Sequence, residues 1–195
     1  MSIIYMIRHG QSQANLLRLW GGDFPLTELG RSQAATVAGR ISDKPDKVVS
    51  SALKRAHETA RIAYPDMDVE KNASFNEIEF GTQSLKTICD DEYWRLYCTD
   101  IEKLQKLIDG DDIIKRAAEA VAEMKSYAEQ YKCVAIFTSD TILRNIVAYI
   151  KGQRPNDTCE TYLGNCGIVK FSYDGELHIE DESEIKVRPV PGQFE

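Results

Sequence analysis

The sequence predicts an α/β protein with a mostly parallel sheet and helices on both faces. Continuous apolar runs at 2–7 and 133–138 are typical of strands that are buried on both sides. Residues 112–131 give the clearest helical pattern, because their apolar side chains recur with a period of about 3.6. Strand and helix patterns alternate along the chain, and this alternation favours a parallel sheet covered by helices.

The other elements are predicted from local signals. A helix begins after Thr27, which is a good N-cap, and covers residues near 28–42. A short strand at 47–50 precedes a helix at 52–63, and Pro65 ends that helix. The remaining predicted elements are an extended segment at 75–80, helices at 84–107 and 141–151, and a terminal hairpin of strands 166–173 and 176–182.

Length, composition and charge restrict the possible functions. The chain has 195 residues, of which 43% are hydrophobic, and we expect residues 1–195 to form a single domain. Its net charge of −7 argues against general binding to nucleic acid or to an anionic membrane. No apolar run approaches the ~20 residues of a membrane span. The oligomeric state is not predicted.

Cysteine usage points to a reducing compartment. The five cysteines are odd in number and contain no C-x-x-C pair, so we expect reduced thiols without a disulfide framework or a zinc site. The apolar start at residues 3–7 is too short for a signal sequence. We therefore expect a cytoplasmic protein.

Polar segments follow the two most apolar strands, at the edge where open α/β sheets bind ligands. Segment 8–10 (RHG) follows the first strand, and segment 139–141 (SDT) follows the second. A histidine such as His9 can act as a neutral nucleophile near pH 7, and the arginine beside it supplies a fixed cation. Gly10 is expected to let the backbone turn sharply and approach a ligand.

Three further residues could complete a phosphate site. Arg55 lies near the start of a helix, where free N–H groups and the helix dipole also favour anions. Two guanidinium forks suit the oxygens of a phosphate group. Asn15 adds an amide, and Glu77 is a candidate general acid because a leaving alkoxide needs a proton. Each residue alone is more often a solvated or salt-bridging side chain, so the prediction rests on their combination.

Taken together, these segments resemble the histidine phosphatase superfamily, which includes the cofactor-dependent phosphoglycerate mutases. The segments that carry the resemblance are RHGQSQAN (8–15), PLTELGRSQA (25–34), SSALKRAHETA (50–60), NEIEFGTQ (76–83) and FTSDTILRNIV (137–147). They occur in the family's order over residues 1–150. The resemblance implies a three-layer α/β/α fold and a phosphohistidine formed on His9. It also implies that Arg8 and Arg55 hold the phosphoryl oxygens, that Asn15 assists, and that Glu77 donates a proton, with no metal and no cofactor.

The fifth segment departs from the family pattern, which has a second histidine followed by glycine. An ungapped alignment puts Ser139 and Asp140 at these positions, and a one-residue gap would put Asp140 at the histidine position. The only histidines in the sequence are His9, His57 and His178, so neither alignment supplies one. We assign Ser139 to phosphate binding. Its hydroxyl carries no positive charge, so we expect the loss of the histidine to slow catalysis by about 10²–10³-fold.

Two functions are compatible with these residues. The first is a phosphatase that hydrolyses a small phosphate monoester through a phosphohistidine on His9, slowed or retuned by the missing histidine. The second is a pseudoenzyme that binds a phosphorylated ligand or partner without turnover. The presence of Arg8, His9, Arg55 and Glu77 together favours the first. A third function, phosphoglycerate mutase, is disfavoured because the acidic region 84–112 does not suit a tri-anionic substrate.

The organic part of the substrate is not predicted. A set of aromatic residues could form an apolar rim for a leaving group, and core packing is an equally good interpretation of the same set. The set consists of Trp20, Phe24, Tyr93, Trp94 and Tyr97.

Overall fold

The computed structural model describes residues 1–81, 84–85 and 92–187, apart from the side chains of residues 92–94, 108 and 156. The strands are β1 (Ser2–Arg8), β2 (Lys47–Ser50), β3 (Val69–Lys71), β4 (Cys133–Thr138), β5 (Thr161–Leu163), β6 (Ile168–Tyr173), β7 (Leu177–Asp181) and β8 (Ile185–Val187). The helices are α1 (Gln13–Leu17), α2 (Glu28–Ala35), α3 (Lys54–Ala63), α4 (Glu92–Thr99), α5 (Ile101–Ile108), α6 (Ile113–Gln130) and α7 (Asp140–Ile150).

A six-stranded sheet in the order β3-β2-β4-β1-β6-β7 forms the centre of the fold. Strands β3, β2, β4 and β1 are parallel, whereas β6 pairs antiparallel with β1 and β7 pairs antiparallel with β6. Strands β5 and β8 form a separate two-stranded antiparallel sheet. The prediction of an α/β fold with a mostly parallel sheet is confirmed.

Both faces of the sheet are buried because successive side chains of β1 and β4 alternate between two hydrophobic clusters. Met6 and Ile136 point into one cluster, which α6 and α7 cover. Ile7 and Phe137 point into the other, where Ala56 of α3 packs. The continuous apolar runs of these strands are therefore explained by helices on both sides.

The helix predicted near 28–42 begins as expected and ends early. The Thr27 hydroxyl accepts a hydrogen bond from the Gly30 N–H at 3.1 Å, which confirms the N-cap. The helix ends at Ala35, and the Thr36 hydroxyl donates to the Gln33 carbonyl at 2.8 Å. A short 3₁₀ turn at Ala38–Arg40 follows.

The predicted helix at 84–107 is wrong as a single element. Its described part consists of α4 and α5, and residues 86–91 lie outside the described residues. Asp100 separates the two helices, because its side chain caps α5 by accepting from the Lys103 N–H at 3.0 Å. Sequence analysis missed α1, β3, β5 and β8, which are too short to show a periodic pattern.

Gly10 is required for a close approach between two backbone segments. A Cβ atom on Gly10 would lie 2.3 Å from the Gly30 carbonyl oxygen, and one on Gly30 would lie 2.0 Å from the Gln11 carbonyl oxygen. The φ angle of Gly10 is not positive, so the sharp turn predicted there is not what demands glycine. The two glycines instead let α2 pack directly against the loop after β1.

None of the described helices is both long and apolar enough to cross a membrane.

Candidate active site

The two polar segments singled out in the sequence meet at one edge of the sheet. Strands β1 and β4 are parallel neighbours, and Arg8 at the end of β1 lies opposite Thr138 at the end of β4. The His9 N–H donates to the Thr138 carbonyl at 2.9 Å. The carboxyl ends of the strands therefore bring His9 and Ser139 to the same place, as the predicted topology requires.

The His9 imidazole is held at both ring nitrogens. The ring is buried, with 3% of the residue exposed. Its Nδ1 lies 2.7 Å from the Gly10 carbonyl oxygen, which can only accept, so Nδ1 carries the ring proton. Nε2 therefore holds the lone pair, and it accepts a hydrogen bond from Arg55 Nε at 3.0 Å. The unprotonated nitrogen of the ring therefore faces the Arg55 guanidinium group.

The environment of His9 keeps its ring uncharged. Burial lowers the pKa of His9 well below its ordinary value, and the positive charges of Arg55 and Arg8 lower it further. The Gly10 carbonyl opposes these effects by favouring the protonated ring. Burial and the two cations outweigh that bond, so the lone pair on Nε2 is available at neutral pH.

Arg55 connects His9 to the second polar segment. It is the second residue of α3, is 4% exposed, and donates from Nη2 to the Ser139 hydroxyl at 3.3 Å. Its Nη1 donates to the Gly22 carbonyl at 2.5 Å. Thr59, one turn later in α3, accepts from the Gly10 N–H at 3.0 Å and so fixes the helix to the loop that carries His9.

Arg8 is a second buried cation beside His9. It is 8% exposed, and its Nη1 donates to the Leu163 carbonyl. Its Nε is buried and has no hydrogen-bond partner among the residues that the structure describes. A buried charged donor without an acceptor is costly, and a bound anion would satisfy it.

The Glu77 side chain contacts the first turn of α7, the helix that Ser139 precedes. Its Oε1 accepts from the Ile142 N–H at 3.0 Å, and its Oε2 accepts from the Thr141 N–H at 3.2 Å. These free N–H groups belong to the first turn of the helix, where carboxylates are favoured. The structure thus brings Glu77 to the predicted edge of the sheet.

Asn15 lies in the first turn of α1 and forms a capping box with Ser12, the last residue of the loop after β1. Its Oδ1 accepts from the Ser12 N–H at 3.0 Å. The amide of Asn165 lies 3.4 Å from the same oxygen and donates to the His9 carbonyl at 3.1 Å. Sequence analysis missed Asn165. Its position depends on the pairing of β6 with β1, which the sequence analysis did not predict.

Ser139 and Asp140 have different surroundings. Ser139 is completely buried and faces Arg55, whereas Asp140 Oδ1 accepts from Arg144 Nε at 3.1 Å and from the Leu163 N–H at 2.8 Å. Burial opposes ionisation of Asp140, but Arg144, Arg8 and the Leu163 N–H outweigh it and hold the pKa of the carboxyl below its ordinary value. This geometry favours the ungapped alignment.

Two members of the aromatic set, Trp20 and Tyr97, pack in the core. Trp20 is buried against Phe80, with ring centroids 4.5 Å apart, and Tyr97 is buried in the core. For these two residues core packing is the correct interpretation, while Phe24 is partly exposed. The side chains of Tyr93 and Trp94 lie outside the described residues.

Within the described part of the chain, no three His, Cys, Asp or Glu side chains are grouped so that they could hold a metal ion.

The chain belongs to the histidine phosphatase superfamily (branch 1), whose family profile matches residues 4–180. An adenosylcobalamin/alpha-ribazole phosphatase from Salmonella typhimurium is 35% identical over 107 residues, which cover 50% of this chain and 53% of the relative. A 2,3-bisphosphoglycerate-dependent phosphoglycerate mutase from Bartonella bacilliformis is 37% identical over 91 residues, covering 42% of this chain and 44% of the relative. The matches span about half the length of these relatives.

Solved structures share the fold over almost the whole chain. A phosphoserine phosphatase mutant from Entamoeba histolytica, in complex with phosphoserine, has a TM-score of 0.79 at 25% identity and covers 93% of this chain and 96% of its own. The alpha-ribazole phosphatase from Shigella flexneri has a TM-score of 0.77 at 22% identity, covering 97% and 96%. The three-layer α/β/α fold implied by the sequence resemblance is confirmed.

We predict that the His9 ring is neutral at pH 6.5, the ordinary pKa of the side chain, because the depressed pKa keeps it deprotonated until the pH falls further. Nitrogen chemical shifts of ¹⁵N-labelled histidine measure this directly, with a His9→Gln variant to assign the signals. The expected pattern is one protonated Nδ1 and one bare Nε2. Half-protonation of His9 at pH 6.5 or above would contradict the assignment.

Proposed function

We propose that this chain is a phosphatase that hydrolyses a small phosphate monoester through a phosphohistidine on His9. The observation that carries the proposal is the lone pair of His9 Nε2, which lies 3.0 Å from Arg55 Nε and next to the buried cation Arg8 in sequence. A nucleophile between two guanidinium groups is suited to phosphorus, because the cations bind the phosphoryl oxygens around the atom that is attacked.

In the first chemical step, Nε2 attacks phosphorus and the P–O bond to the leaving alcohol breaks. As the ester binds, the Arg55 Nε–H would stop donating its hydrogen bond to the His9 lone pair and would donate it to a phosphoryl oxygen. The departing oxygen keeps the bonding electron pair and takes a proton from Glu77, which lies beside Ser139 at the start of α7. Arg8 and Arg55 stabilise the charge that spreads over the phosphoryl oxygens.

In the second step, water attacks the phosphorus atom of the phosphohistidine. Glu77, now deprotonated, accepts a proton from that water, and the N–P bond electrons return to Nε2. Inorganic phosphate leaves, and the neutral ring again accepts the hydrogen bond from Arg55. Asn15 and Asn165 hold the loop that carries His9 through its carbonyl and the α1 cap.

The serine at position 139 sets the expected rate. Its hydroxyl is 3.3 Å from Arg55 Nη2, so it could contact a phosphoryl group held there, but it cannot supply a positive charge. Replacing one charged donor by a neutral one in a preorganised site costs about 10²–10³-fold in rate. We therefore propose a working but slowed enzyme.

A phosphate-binding protein without turnover is the second candidate. The same missing histidine favours it, and so does the engagement of both Glu77 oxygens by backbone N–H groups. Phosphoglycerate mutase activity is the third candidate, and the acidic residues of region 84–112 disfavour it. A cytoplasmic location belongs to the same proposal, and the free thiols of Cys133, Cys159 and Cys166 support it.

The direct test is release of phosphate from a generic aryl phosphate at pH 5–8. We expect measurable turnover by the wild-type chain and its loss in His9→Ala, because the substitution removes the Nε2 lone pair that the proposed mechanism uses to attack phosphorus. His178→Ala is the matched control, since His178 lies on β7 and pairs with Asp174. Inactivity of the wild type across a broad panel of phosphate esters, together with stabilisation by phosphate, would favour the binding protein.

Restoring the missing side chain distinguishes a slowed enzyme from a binding protein. We expect Ser139→His to raise turnover by about ten-fold or more, because it returns a charged donor to the transferring group. Ser139→Gln, which is similar in size but uncharged, is the control and should give no comparable gain. If the two substitutions have equal effects on turnover, position 139 does not face the phosphoryl group.

A further inference from the structure

The backbone of Leu163 lies between Arg8 and Asp140, the first residue of α7. Its carbonyl accepts a hydrogen bond from Arg8 Nη1. Its N–H donates to Asp140 Oδ1 at 2.8 Å. Leu163 is fully buried at the end of β5, so neither bond can be replaced by bulk water without moving the strand. Asp140 and Arg8 are therefore linked through the backbone of one buried residue, Leu163.

Asp140 itself is fixed by a buried cation. Arg144, one helical turn later, is 3% exposed and donates from Nε to Asp140 Oδ1 at 3.1 Å. The Arg144 Nη1 donates to the Thr158 carbonyl, in the turn that precedes β5. The ion pair between Asp140 and Arg144 thus attaches two places to α7. One is the turn before β5 and the other is Leu163, the last residue of β5.

This arrangement has a geometric consequence for Arg8. Leu163 is the one hydrogen-bond acceptor that the Arg8 guanidinium has among the described residues. Without Asp140, the Leu163 N–H would be a buried donor lacking a partner, which is costly enough to shift β5. Because β5 carries the carbonyl that orients Arg8, such a shift would move the cation away from His9.

We propose that Asp140 is a positioning residue that holds Arg8 in its phosphate-binding orientation through the backbone of Leu163. The inference rests on the proposed phosphate site. The positioning role and a simple charge effect predict opposite changes in phosphate binding when Asp140 is removed. A carboxylate near a phosphate weakens binding by repulsion, so removing it should strengthen binding, whereas removing the acceptor for the Leu163 N–H should weaken binding.

Two double variants separate the acceptor from the charge. Asp140→Asn with Arg144→Met keeps a side-chain carbonyl for the Leu163 N–H, whereas Asp140→Ala with Arg144→Met removes it. Both remove the whole ion pair, so neither leaves an unpaired buried charge. We expect the alanine variant to bind inorganic phosphate about ten-fold more weakly than the asparagine variant, the size of one hydrogen bond to a charged group.

Calorimetric titration with inorganic phosphate measures the two dissociation constants, and thermal unfolding confirms that both variants are folded. Equal affinities in the two folded variants would overturn the inference and leave the proposed phosphatase intact. If the wild type binds no phosphate, the proposed site fails first and the inference fails with it. Should the alanine variant not fold, Asp140→Gly with Arg144→Met replaces it, because the ungapped alignment puts the family's glycine there.

A further substitution shows whether the effect passes through Arg8. In an Arg8→Ala background the two double variants are expected to bind phosphate equally, because the side chain that Leu163 orients is gone. A ten-fold difference that persists without Arg8 would contradict the positioning role, since it would mean that Asp140 acts on the site by another route.

Discussion

The hydrogen bond from Arg55 Nε to His9 Nε2 is the interaction on which the rest of the site depends. It can exist only if the ring is neutral with its proton on Nδ1, and the Gly10 carbonyl selects that tautomer. It also requires α3 to lie beside the loop after β1, which the bond from the Gly10 N–H to Thr59 ensures. The close contact between Gly10 and Gly30 holds the same loop against α2.

Charge balance explains how three arginines can be buried around one neutral histidine. Arg144 is neutralised by Asp140, so it adds little positive charge to the pocket. Arg8 and Arg55 have no such ion pair within the described part of the chain, and the carboxylates that act on Arg55 from a distance are Glu77, Asp23 and Glu79. The centre therefore keeps a positive potential suited to an anion, although the chain as a whole has a charge of −7.

The sequence could predict the centre of this arrangement because few long-range contacts determine it. The apolar runs of β1 and β4 require burial on both faces, and parallel strands bring their carboxyl ends together. This is enough to place His9 near Ser139. Arg55 follows in the same way, since β2 is the other neighbour of β4 and α3 begins just beyond it.

The parts that escaped prediction depend on side-chain choices between distant segments. The Asp140 carboxylate pairs with Arg144 one turn later and also accepts from the Leu163 N–H, 23 residues later, and this second contact has no local signal. Asn165 reaches the His9 carbonyl only because β6 runs antiparallel beside β1. The break between α4 and α5 arises from a single cap at Asp100, which the apolar periodicity of the region conceals.

The central claim is that His9 itself takes up the phosphoryl group, and rapid quenching into base tests it most directly, because phosphohistidine survives base and is lost in acid. Wild-type chain mixed with an excess of an aryl phosphate and quenched within a turnover should yield a peptide containing residues 8–10 that carries one acid-labile phosphoryl group on His9. Phosphate attached to a different residue, or steady release of phosphate with no phosphorylated peptide at any time point, would contradict the account.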